Sequence, residues 1–121
     1  VDVAGSFKRM FREQIVQLRN DVTLRRLCRW ELTANNENTQ QLRDSRARNG
    51  CELIKTVSGF THSSHTEVAA LATILSAAIS YLVLIEDQSF TYNGINLQSD
   101  EGWEQIIKGL NLIIDLWIKQ V

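Results

Sequence analysis

Residues 68–85 read VAALATILSAAISYLVLI, eighteen positions without a single charge. A run of that length just reaches the threshold for a membrane span. Its edges argue otherwise: Glu67 precedes it, Glu86 and Asp87 follow it, and no Lys or Arg anchors either end. Thr73, Ser76 and Ser80 interrupt the apolar surface. A helix covered on two sides carries the same signature, so the stretch is read as a buried helix over about residues 66–87, with no membrane involved. The chain then carries a second helix of this kind. Over about residues 100–120, Trp103, Ile106, Ile107, Leu110, Ile113, Ile114, Trp117 and Ile118 recur at helical spacing, and Leu112 and Leu116 widen the arc. The polar residues are confined to a narrow strip of Glu104, Lys108, Asn111, Asp115 and Lys119.

One domain of 121 residues can hide one helix that is apolar all round. Hiding two in succession calls for a partner, because large exposed apolar patches are rare on monomers. The pair therefore predicts a homodimer interface. Its expected residues are Leu71, Ile74, Ala77, Ala78 and Tyr81 on the first helix, and Trp103, Ile107, Leu110, Ile114 and Trp117 on the second. Small residues at 77, 78 and 80 allow close helix approach, and Tyr81, Trp103 and Trp117 serve as large anchors. Between the helices, NGINLQSDEGWEQI (residues 93–106) reads as punctuation. Asn93-Gly94 supplies a tight turn, and the alternation of Phe90, Tyr92, Ile95 and Leu97 permits a tiny hairpin, with a compact connecting loop as the alternative. Ser99 is a good N-cap, with Asp100 and Glu101 at the positive end of the helix dipole. The expected role of the stretch is geometric: it reverses the chain and sets the register of the last two helices.

The rest of the chain fits an all-α domain of about five helices in an antiparallel bundle. Proline is absent, and the apolar residues follow a helical period. A first helix is expected over about residues 6–19, capped by Ser6, with Phe7, Met10, Phe11, Ile15 and Leu18 on one face. After Asn20, Asp21 can cap a second helix carrying Leu24, Leu27, Cys28 and Leu32. The turn-forming TANNEN segment ends it. A third is expected over about residues 38–58, with a stripe of Leu42, Ala47, Cys51, Ile54 and Val57. Gly50 within it points to close packing or a bend. Ser64 or Thr66 is expected to cap the fourth. No repeat, linker or low-complexity tract divides the chain, so residues 1–121 form a single domain.

Composition excludes several functions. The net charge is −1, against an indiscriminate polyanion binder. Residues 1–55 hold 11 Lys/Arg and 7 Asp/Glu, and residues 56–121 hold 2 and 7. The arginines of the first half alternate with acids, which is the pattern of solvated, ion-paired helix faces. Cys28 and Cys51 have no ligand-like spacing and read as small buried hydrophobes in a reducing compartment. No basic-then-apolar leader opens the chain, and a cytoplasmic setting is expected. His62 and His65 form H-x-x-H, but two imidazoles are not a metal site, and no cofactor is expected. No nucleophile, phosphate loop or pair of carboxylates converges, so the chain is not read as an enzyme. Glu86-Asp87 at a helix end is unfavourable with the dipole and can mark a partner contact. RRLCRWEL (residues 25–32) either supplies stacking and charge for nucleic acid or an anionic ligand, or is a core tryptophan beside solvated arginines. A polar-rimmed pocket between helices is the intermediate reading, with Met10, Gln14, Trp30, Glu31 and Arg46 as its candidate residues.

The segments WEL (residues 30–32), the Arg-rich helix ending in CELI (51–54), the alanine-rich helix after EVAALA (67–72), and NGI (93–95) with EGW (101–103) carry a resemblance. In this order and spacing they resemble the C-terminal domain of TetR/AcrR-type bacterial transcription regulators, over about residues 7–117. The resemblance implies an all-α effector-binding and dimerisation domain whose last two long helices pair with a partner's copies in a four-helix bundle. It also implies a small-molecule effector held among the earlier helices, and DNA binding only through an N-terminal helix-turn-helix that this sequence lacks. A stand-alone helical adaptor using the same apolar helices is the alternative.

Overall fold

The computed structural model describes residues 2–60, 65–89 and 91–120. In these residues the chain is all-α, with five helices and one minimal hairpin: α1 (Val3–Asn20), α2 (Val22–Thr33), α3 (Glu37–Phe60), α4 (His65–Ile85), β1 (Thr91–Tyr92), β2 (Ile95–Asn96) and α5 (Asp100–Ile118).

Helix starts follow local side-chain chemistry. Asp21 accepts a hydrogen bond from the Leu24 amide at 2.9 Å and caps α2 as expected. Ser99 caps α5, accepting from the Gly102 amide at 3.0 Å. The cap of α1 is Asp2, which accepts from the Gly5 amide, and not Ser6. The earlier start brings Val3 and Ala4 against the core. At the head of α3 two side chains cap reciprocally: the Thr39 amide donates to Asn36 Oδ1 and the Asn36 amide to Thr39 Oγ1. Ser64 lies outside the described residues, and Thr66 falls within α4 rather than at its cap.

The core is built on α1 and α5. Phe7, Phe11, Ile15 and Leu18 recur at steps of three and four and are buried with Trp103, Ile107, Leu110 and Ile114. Phe7 stacks on Phe11 and meets the Trp117 ring edge-on, with ring centres 5.5 Å apart. The two helices run antiparallel, as their flanking ion pairs show: Lys8 with Asp115 at 2.6 Å, Arg12 with Glu104 at 2.9 Å and Arg19 with Asp100 at 3.3 Å. From α4, Val68, Leu75, Ile79 and Val83 complete the core, and α4 also packs on α2 and α3.

The link from α4 to α5 is a hairpin. Thr91 pairs with Asn96 and Tyr92 with Ile95, leaving Asn93-Gly94 as a two-residue turn. Both turn residues have positive φ, 53° and 80°, the left-handed pair that Asn-Gly adopts most readily. Leu97 then enters the core, and the Trp103 indole donates to its carbonyl at 2.7 Å. Arg19 lies over the same ring, 5.2 Å from its centre. Phe90 is outside the described residues.

Three expectations about packing are overturned. Trp103, Ile107, Leu110 and Ile114 are enclosed by this chain's own core, so a second chain cannot reach them; Trp103 is only 2% exposed. Trp117 and Leu71 are half-buried against the same core. The face that α5 leaves open carries Leu112, Ile113 and Leu116 instead. The cysteines are not buried hydrophobes either: Cys51 is exposed and Cys28 half-exposed. In the expected stripe of α3, Val57 is buried and Leu42 and Ile54 are half-buried, whereas Ala47 and Cys51 face solvent. The surroundings of Gly50 lie outside the described residues.

Much apolar surface stays open. Ile74 is 65% exposed and Leu116 51%. Of the 20 residues from Thr66 to Ile85, long and apolar enough to cross a membrane, only 22% of the most apolar window is buried. The chain exposes 7877 Å² at a mass of 13.8 kDa. A compact monomer of that mass exposes about 6600 Å², so the excess is on the order of 1200 Å².

Candidate functional site

A cavity of about 380 Å³ opens between α2, α3 and α4, in the size range of small-molecule sites. From α2 it receives Cys28, Glu31 and Leu32, from α3 Arg46, and from α4 Ala77, Ser80, Tyr81 and Leu84. The α4 positions follow from helical spacing: 77, 80, 81 and 84 fall on one side of the helix, away from the core positions 75, 79 and 83. The lining is mainly apolar, and its charged groups are Glu31 and Arg46.

Glu31 is 7% exposed, a depth at which a carboxylate needs partners. It has two. Arg46 forms an ion pair with one carboxylate oxygen, and Arg43 approaches the other at 3.8 Å. Arg43 is itself held by the backbone, donating to the carbonyls of Glu31 at 2.5 Å and Ala34 at 3.1 Å. The Arg46 side chain is 58% exposed, so its guanidinium stands at the mouth with one side toward solvent.

Of the five pocket residues expected from sequence, Glu31 and Arg46 are brought together here. Met10 and Gln14 are half-buried on α1, with Met10 packed against the main core, and do not line the cavity. Trp30 is 39% exposed, does not line the cavity, and is not the core tryptophan that one reading of RRLCRWEL required. The arginines of that segment are not simply solvated. Arg25 is buried and donates to the carbonyls of Leu18 and Arg19 at the end of α1. Arg29 donates to the Leu84 carbonyl at 2.9 Å and to Asp87 at 2.6 Å.

These contacts explain the acids beyond α4. Asp87 receives Arg29 and, at 3.6 Å, Arg25; Glu86 receives Arg19 at 3.1 Å. Guanidinium groups from α1 and α2 thus clamp the C-terminal end of α4, and the pairing is within the chain. The Arg29 hydrogen bond, aided by the Arg25 charge, holds the Asp87 carboxyl below the usual carboxylate range. Across the molecule Arg12 lowers the Glu104 carboxyl in the same way. Among the described residues no three His, Cys, Asp or Glu side chains gather to hold a metal ion. His62 lies outside the described residues, and with it the H-x-x-H pair.

Sequence reasoning missed the α4 wall of the cavity. Ala77 and Tyr81 were expected at a dimer seam, and Ser80 only as a small residue easing helix approach. Leu84 carried no signal beyond helical spacing from Tyr81. Comparison with protein-family models, with curated proteins and with solved structures finds no match to this chain.

Proposed function

We propose that the chain is the effector-sensing and dimerising domain of a TetR/AcrR-like bacterial transcription regulator, acting in the cytoplasm. DNA would be read by a helix-turn-helix elsewhere in the parent protein. The observation that carries the proposal is the unpartnered apolar side that each of the last two long helices presents. It comprises Ile74, Ala78 and Tyr81 on α4 with Leu112, Ile113 and Leu116 on α5, all exposed. The excess surface, on the order of 1200 Å², is more than one partner's share of a standard interface, about 800 Å². A second copy presents the same apolar face, and self-complementary pairing is the commonest oligomeric arrangement.

The fold supplies a route from effector to dimer. Helix α4 carries both the cavity wall and the open face: Ala77 and Tyr81 border the cavity, and Ile74 and Ala78 point outward one turn away. Its C-terminal end is fixed to α1 and α2 by the Arg19, Arg25 and Arg29 clamp. An effector that prefers one setting of α4 against α2 and α3 would therefore prefer one arrangement of the dimer. The test is mass by light scattering across a concentration series. A dimer at tens of micromolar that Leu116→Glu converts to a monomer supports the proposal. A wild-type monomer throughout that range overturns its dimer part.

A further inference from the structure

We infer that the cavity between α2, α3 and α4 takes an amphipathic anion: a molecule with an apolar body and one carboxylate, bound with its head against Arg46. The inference rests on reading that cavity as the effector site. At its polar end two guanidiniums meet one buried carboxylate. The lining itself carries one negative charge, Glu31, and one positive charge, Arg46; Arg43, outside the lining, sets a second positive charge against Glu31 at 3.8 Å and leaves the polar end cationic. Among the described residues that line the cavity Glu31 is the one acid, and the α4 residues there are Ala77, Ser80, Tyr81, Leu84 and Ile85. The acids just past the end of that helix, Glu86 and Asp87, are engaged by Arg19, Arg25 and Arg29.

The two arginines are not equivalent. Arg43 is tied to two backbone carbonyls and to Glu31, which leaves it a structural support of Glu31 outside the lining. Arg46 has five N–H donors, and a single carboxylate oxygen accepts at most two of them. More than half its side chain is open, so the planar fork can hold Glu31 on one edge and a ligand carboxylate on the other. A cationic ligand faces the reverse situation. To meet Glu31 it must displace Arg46 from a carboxylate that is already buried and paired, and it gains no new partner by doing so. The apolar remainder of the lining, with Leu32 and Leu84 among its residues, accepts a hydrocarbon or aromatic body.

Calorimetric titration near neutral pH with decanoate, decanol and decyltrimethylammonium separates head charge from tail. Decanoate is expected to bind with one site per chain, decanol about tenfold more weakly, and the ammonium more weakly still. Arg46→Gln should bring decanoate down to the affinity of decanol. Glu31→Gln should tighten decanoate several-fold by releasing Arg46, a gain that a misfolded variant cannot produce. The inference is overturned if the ammonium binds as tightly as decanoate, if Arg46→Gln leaves decanoate unchanged, or if none of the three binds. A dimer that binds none of them refutes the ligand and not the dimer; a monomer that binds decanoate does the opposite.

Discussion

Two glycines seven residues apart on α5 are predicted to respond to the same substitution with opposite signs. A Cβ added at Gly102 would lie 1.8 Å from the carbonyl oxygen of Asn96 and 2.8 Å from its carbon, both backbone atoms. Ordinary contact begins near 3.4 Å, so either the hairpin or the first turn of α5 must retreat by about 1.5 Å. That retreat pulls on the Ser99 cap and on the bond from Trp103 to the Leu97 carbonyl. Overpacking of this kind costs about 1–3 kcal/mol, and a lost cap adds about 1 kcal/mol. Against this, Ala gains up to about 1 kcal/mol over Gly in helix propensity. Gly102→Ala should therefore destabilise by roughly 1–3 kcal/mol. At Gly109 a Cβ meets nothing within 4 Å, only the propensity gain remains, and Gly109→Ala should stabilise the isolated chain by about 0.8 kcal/mol. Urea denaturation of both variants at a concentration where the chain is monomeric measures the two numbers. A Gly102→Ala variant as stable as wild type would refute the hairpin–helix register described above. The second glycine also bears on assembly. Among the described residues nothing requires a glycine at 109, which lies on the open side of α5 one helical step from Leu112 and Ile113. If the dimer seam runs there, the gain at low concentration becomes a loss at concentrations where the dimer forms.

Three further outcomes are expected. Leu116→Glu should weaken self-association by about 100-fold or more, the scale of a central apolar anchor, while changing monomer stability by less than about 0.5 kcal/mol; light scattering and urea midpoints read the two effects separately. Asp87→Asn should cost about 1 kcal/mol at neutral pH, a modest figure because Asp87 is half-exposed and its pairs with Arg25 and Arg29 are screened. Since folding lowers the Asp87 carboxyl from its ordinary 3.8, that stabilisation is complete above this value and is lost as pH falls through the folded value. The wild-type advantage over Asp87→Asn should thus close in acid, and urea midpoints at a series of pH values would show it; an advantage unchanged below pH 3.8 would contradict the clamp. Trp103→Phe should cost about 2–4 kcal/mol from lost packing and from the unpaired Leu97 carbonyl. Chemical denaturation measures it, and the same variant removes the most shielded of the three tryptophans from the fluorescence signal.

The parts of the fold that depend on neighbours in sequence were legible. Asp21 and Ser99 cap their helices because an N-cap needs only the amide three residues on. The Asn-Gly hairpin was one of two open readings for the same local reason. Ser6 failed as a cap because Asp2 is an equally good one, and starting there adds Val3 and Ala4 to the core. Periodicity was less decisive on α5, where it outlines apolar faces without saying which of them turns inward. The largest side chains were assigned to an interface, yet Trp103 and Ile107 are the ones that Phe7, Phe11 and Ile15 need to fill the core. The outer face is left to Leu112, Ile113 and Leu116, ordinary in composition and separated from the inner face by less than half a turn.

The site divides along the same line. Glu31 and Arg46, two of the five residues assigned to a polar-rimmed pocket, meet at the cavity and pair with each other. Met10 and Gln14 were drawn from α1, which fronts α5 and contributes to the cavity only through Leu18 at its far end. The α4 wall was hidden by an alanine-rich sequence whose helical period is consistent with either a seam or a cavity. The acids at 86 and 87 show how a correct signal can be attached to the wrong object. Their place at a helix end is unfavourable if the helix includes them, and that suggested an outside partner. The helix instead stops at Ile85, so both carboxylates lie past its last turn and can fold back onto guanidiniums arriving from α1 and α2. The compensating charges were in RRLCRWEL and at Arg19 all along, some sixty residues away in sequence, a distance that no local pattern spans.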